Sequence, residues 1–125
     1  MNVAYIFRNN MASTFQLATM ILPQLEKGNH GANVLGMFFF DDNLFVLREG
    51  DPVGERLASV ASERGILLMM CDQCAVRRNM AVGTLEECGS GQVRASGTVN
   101  GVQAGCFPQL YAALSGSTLD QVITL

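Results

Sequence analysis

Three short runs, NVAYIF (2–7), ANVLGMFFF (32–40) and ILLMM (66–70), are apolar almost without interruption. A strand with one solvated face alternates apolar and polar residues. A continuous run needs cover on both faces, which is the condition of a strand inside a parallel sheet. Parallel neighbours cannot be joined by a hairpin and need a crossover, usually helical. The spacing of the three runs leaves room for one, so the pattern predicts an α/β chain with helices on both sides of a parallel sheet.

The intervening segments support this. In NNMASTFQLATMILPQLEKG, Phe15, Ala18, Leu22 and Leu25 recur at helical spacing. Asn10 is the expected cap, Lys27 and Gly28 the expected end, and Pro23 predicts a kink because it lacks a backbone donor. DDNLFVLREGD reads as a connection carrying a short turn or an extended piece. Asp51 and Pro52 open a second helix as N-cap and first residue; Val53, Leu57, Val60 and Ala61 form its inner face, and Arg64 and Gly65 end it. DQCAVRRN predicts a short third helix. A Gly-rich stretch, 83–105, holds a helical turn at 84–88 and a fourth strand near 101–104. CFPQLYAALSGS is a final helix with Pro108 in its first turn, and DQVITL a closing strand. Strand and helix alternate five strands long, in one domain over residues 1–125.

Composition excludes several functions. Of 125 residues, 49% are hydrophobic and only 15% charged, where about a quarter is usual. So few charges predict surface hidden in a partner, hence an oligomer. The net charge is −3 and the eight Lys and Arg residues form no run, which argues against a nucleic-acid footprint. No stretch reaches the about 18 apolar residues of a membrane span, and the opening MNVAYIFRNN lacks the pattern of a secretory leader. A cytoplasmic protein without membrane or nucleic-acid partners is expected.

In a reducing compartment, the four cysteines read as chemical rather than as staples. Cys71 ends the third apolar run and precedes a short helix, where unpaired N–H groups favour a thiolate. Arg77 and Arg78 follow in that helix and add positive field. Cys71-Asp72-Gln73-Cys74 is a single CxxC, whose spacing lets both sulfurs face one point, for a disulfide or a shared metal. Cys106 lies just past the fourth strand; if strands three and four are neighbours, it shares a rim with Cys71. Cys71, Cys74 and Cys106 would suit a soft ion such as Cu(I) or Hg(II). A four-thiolate set including Cys88 has no recognisable spacing. The Gly-rich stretch has neither the dinucleotide fingerprint nor a phosphate-loop lysine. His30 reads as a loop histidine, Met69 and Met70 as core, and Glu86 and Glu87 as solvated surface.

With these residues in place, the chain resembles the DsrE/TusD family of small sulfur-relay proteins over nearly its whole length. The matching segments, in family order, are the opening strand, LEKGNHGANVLGMFFF, ILLMMC, CDQCAVRRN and YAALSGSTLDQVITL. The resemblance implies a three-layer α/β/α fold with a five-stranded parallel sheet, assembled as trimers or hexamers with itself or with related subunits. It implies that Cys71 carries sulfane sulfur as a persulfide between donor and acceptor proteins, with no cofactor. Asn79 stands where the family has a helix-ending glycine. Cys74 and Cys106 are thiols beyond the relay pattern.

Three functions follow as expectations. In the first, a sulfurtransferase-type carrier, Cys71 takes the sulfur, Arg77 or Arg78 stabilises the anion, and Cys74 resolves it. The second is a thiolate binder of a soft metal or organometal through Cys71, Cys74 and Cys106. The third is a non-catalytic subunit of an oligomer.

Overall fold

The computed structural model describes residues 1–125. The first apolar run forms β1 (Asn2–Phe7). A wide π-type helix (Ser13–Ile21) follows and passes into α1 (Leu22–Lys27), with Pro23 in the first turn of α1. Next come β2 (Asn33–Phe39), a 3-10 segment (Asp41–Leu47) and α2 (Pro52–Arg64). The third run is β3 (Leu67–Cys71), running directly into α3 (Asp72–Arg77). The Gly-rich region holds β4 (Ala81–Val82), a 3-10 turn (Leu85–Glu87), β5 (Arg94–Ala95) and β6 (Val102–Gly105). The chain closes with α4 (Phe107–Leu114) and β7 (Gln121–Thr124).

Five of these strands make one parallel sheet in the order β6-β3-β2-β1-β7. The three continuous runs are its three central strands, as double-sided burial requires. Side chains alternate across the sheet. Ala4, Ile6 and Phe38 face α4, in a groove shared with Leu110 and Leu114, so Val3, Tyr5 and Phe7 face the opposite layer. On that side α1 and α2 lie side by side, joined by an Arg56–Glu26 ion pair. This is the expected three-layer α/β/α fold. The small antiparallel ribbon β4–β5 is absent from the sequence reading, because two-residue strands leave no periodic signal.

The first helix departs from expectation in its hydrogen bonding. Leu17 N–H reaches Ala12 O and Leu22 N–H reaches Leu17 O, five residues back in each case. The buried face therefore repeats as Ala12, Leu17 and Leu22, and Phe15 is 49% exposed rather than in the core. Asn10 does not cap this helix. Its first free donor, Ser13 N–H, is taken by Asn43 Oδ1 at 2.9 Å, a tertiary partner from the 3-10 segment. Pro23 marks the change from π to α winding, where its missing N–H costs least.

The second helix matches expectation. Asp51 Oδ1 accepts the N–H groups of Val53 and Gly54 at 3.0 Å each, and Gly65 closes the helix at φ +68°. Asn79 follows α3 at φ +55°, the left-handed stop that Asn tolerates better than most residues.

Candidate functional site: a dithiol at the carboxyl rim of the sheet

Ligand sites in open α/β sheets lie beyond the carboxyl ends of the strands. Both thiol groupings of this protein lie there. Strands β3 and β6 are neighbours, with Cys71 paired to Gly105, so Cys71 and Cys106 share one rim.

Cys71 ends β3 and is the N-cap of α3; its Sγ accepts the backbone N–H of Cys74 at 3.4 Å. Cys74 sits one turn on, and its Sγ accepts the backbone N–H of Asp41 at 3.3 Å. The two side chains are 7% and 9% exposed.

The two thiols lie one helical turn apart, and their surroundings act on them in opposite directions. The neighbouring Cys71 thiol, with the Asp41 N–H and the Arg78 guanidinium, brings the Cys74 thiol down to about 6 against burial and the Asp41 carboxylate. The Cys74 thiol and burial push the Cys71 thiol up, and the Asp72 carboxylate adds to the rise. Strand-end position favours a thiolate at Cys71, and the Asp41 N–H and Arg78 lower the Cys74 thiol beside it.

The two arginines separate. Arg77 is exposed and makes no ion pair. Arg78 folds back over α3: Nη1 donates to Cys74 O at 3.2 Å, and Nε and Nη2 reach Asp42 Oδ1 at 3.1 and 3.0 Å. An exposed pair of this kind contributes little stability. Its effect here is to fix a cation beside the thiols.

Arg78, Asp41 and Asp42 also line a cleft of about 640 Å³, together with Arg8, Asn10 and Thr14. Asp41 and Asp42 did not stand out in the sequence. Their signal was position, immediately after the FFF that ends β2, at the carboxyl end of the strand next to β3.

Cys106 does not join Cys71 and Cys74 in a three-donor cluster. The side-chain donors of Asp72, Cys88 and Cys106 do converge, all within 4.8 Å of one another. Burial, the Asp72 carboxylate and Cys106 push the Cys88 thiol up to about 12. His30 lies in a loop, bonded to Tyr5 Oη at 2.7 Å and Gln24 Oε1 at 2.9 Å, away from either thiol grouping. No helix is long and apolar enough to cross a membrane.

The five parallel strands flanked by helices form a DsrE-like α/β fold. Among solved structures, the chain is similar to that of the ychN protein from E. coli, which has this fold, with a TM-score of 0.61. The likeness covers 99% of this chain and 97% of that one, at 14% sequence identity. No protein-family model matches the sequence, and no curated protein does.

Proposed function

We propose that this protein is a sulfur carrier that holds sulfane sulfur as a persulfide on the Cys71–Cys74 pair. One observation carries the reading: two thiols lie one helical turn apart at the carboxyl rim, with the Asp41 N–H on the Cys74 sulfur, a helix N–H on the Cys71 sulfur and Arg78 on the Cys74 carbonyl. The DsrE-like fold supports it. In this reading the Cys71 sulfur attacks the outer sulfur of a donor persulfide and gives its proton to the Cys74 thiolate. The donor S–S bond breaks, the donor leaves as a thiolate, and Cys71 holds S–SH. An acceptor thiolate then takes the outer sulfur by the same displacement and leaves Cys71 as a thiolate. Alternatively Cys74 attacks the inner sulfur and expels hydrosulfide, which leaves a Cys71–Cys74 disulfide. Low exposure of both thiols protects the persulfide from small oxidants, and the cleft beside Asp41 and Arg78 is the approach for a donor.

The test is intact mass after incubation with a persulfide donor. One added sulfur atom, removed by reductant, is expected in the wild type and in Cys74→Ser, and none in Cys71→Ser. An adduct that persists in Cys71→Ser and vanishes in Cys74→Ser moves the carrier role to Cys74. No adduct on either thiol overturns the reading.

We propose also that the subunits self-associate through the α4 side of the sheet. A single eight-residue helix covers that face. The groove beside it, about 380 Å³, is lined mostly by apolar side chains, including the exposed Phe107, Tyr111 and Val122.

A further inference from the structure

We propose that Asp72, Cys88 and Cys106 form a binding site for Zn(II), separate from the Cys71–Cys74 pair. Their three donor atoms come from three segments distant in sequence: the start of α3, the end of the 85–87 turn, and the N-cap of α4. All lie within 4.8 Å of one another. Tetrahedral zinc, with its usual bonds to sulfur and oxygen, sets its ligand atoms roughly 3.5 Å apart. Small side-chain rotations close that difference.

The carboxylate is the clearest sign that a cation belongs there. Asp72 is 1% exposed, and neither of the protein's two ion pairs includes it. A buried charge without a counter-charge is costly. Its two oxygens accept backbone N–H groups, Oδ1 from Gln73 at 2.8 Å and Oδ2 from Gly89 at 2.7 Å. These fix the carboxylate's orientation and leave a lone pair on each oxygen free.

The two thiols are held by one residue. Gln109 Oε1 accepts the Cys106 N–H at 2.9 Å, and its Nε2 donates to Gly89 O at 2.8 Å. Gly89 follows Cys88 directly, at φ +77°, so the Gly89 peptide ties Asp72 on one side to Gln109 on the other. Gln109 in turn packs on Gly105, where a Cβ would come within 2.9 Å of Gln109 Cβ. Donors aligned by such an outer layer are characteristic of metal sites.

The donor chemistry selects the ion. Two thiolates and one carboxylate suit a borderline ion such as Zn(II) better than Mg(II) or Ca(II), which prefer oxygen ligands throughout. Three protein ligands leave a fourth position for water or an incoming thiolate. As the metal binds, two protons leave the thiols for solvent. Cys88 and Cys106 are half-buried, so the ion has a path in.

The probe is Co(II), whose thiolate charge-transfer and tetrahedral d–d bands report this geometry, followed by displacement with Zn(II). Titrated under reductant, the wild type should take up one ion per chain. The Cys71→Ser/Cys74→Ser double variant should do the same. Cys88→Ser and Cys106→Ser should each weaken binding by roughly a hundredfold, and Gln109→Ala by roughly tenfold; far-UV circular dichroism checks that each is folded. The proposal is overturned if the bands are absent, if they disappear in the Cys71→Ser/Cys74→Ser variant, or if Cys88→Ser binds Co(II) as tightly as the wild type. A Cys88–Cys106 disulfide that persists under reductant and blocks uptake overturns it equally.

Discussion

Asp41 donates its backbone N–H to the Cys74 sulfur at 3.3 Å, from a left-handed conformation at φ +53°. That conformation costs a non-glycine residue about 1 kcal/mol. It turns the peptide at the end of β2 towards the thiol on the neighbouring strand's helix. Its carboxylate, close to the same sulfur, works in the opposite direction.

The Asp41 backbone and side chain can therefore be separated by substitution. Asp41→Gly keeps the left-handed turn and the N–H while removing the carboxylate, so the Cys74 thiol should ionise at lower pH. Asp41→Val disfavours the turn, withdraws the donor and should raise it, at a stability cost of about 1 to 2 kcal/mol. Thiolate absorbance against pH measures both. Equal shifts in the two variants would show that the backbone donor plays no part.

Cys74 should react as a thiolate from mildly acidic pH upward. Below about 6 it is protonated and slow; above that it is charged and fast. Alkylation rates with peptide mapping should give this profile for Cys74, while Cys88, held near 12, stays inert at neutral pH. Arg78→Ala removes the neighbouring cation and Cys71→Ala the neighbouring thiol; each should move the Cys74 profile upward. An unchanged profile in Cys71→Ala would mean the thiols titrate independently.

Gly54 lies within α2, where alanine would ordinarily favour the helix by about 1 kcal/mol. Here a Cβ would stand 2.0 Å from Val46 O, in the 3-10 segment packed against the helix. Gly54→Ala should therefore destabilise, by about 1 to 3 kcal/mol, in chemical denaturation. Because the 3-10 segment begins at Asp41, the variant should also shift the Cys74 titration. A gain in stability would show that the segment yields freely.

Self-association is measurable by sedimentation. The wild type should sediment as an oligomer, and Tyr111→Asp, placing a charge on an exposed residue of the apolar groove, should shift it towards monomer without loss of helix content. A monomeric wild type at micromolar concentration would remove the basis for this contact.

Much of this protein was legible in its sequence because the signals were local. Continuous apolar runs specify doubly covered strands. Asp51-Pro52 and Gly65 start and stop α2 through their own backbones and side chains. Asn79 ends α3 because its side chain tolerates a left-handed backbone. Cys71 stands where a strand meets a helix, and that too is visible in the order of residues.

What the tertiary structure decided depends on segments far apart in the chain. The π winding of residues 13–21 puts Phe15 outside and Leu17 inside, and Asn43 takes the donor at its start. Helical spacing carries no trace of a partner thirty residues away. The Asp41 N–H and Arg78 reach Cys74 and lower its thiol, whereas sequence placed only Cys71 at a helix start. Asp72, Cys88 and Cys106 meet through the pairing of β3 with β6 and the bridge of Gln109 to Gly89. The sequence by itself determined the strands, the stops and the thiols. Strand order and loop packing determined which thiol meets the Asp41 N–H and which thiols face a carboxylate, because those energies depend on distance in space.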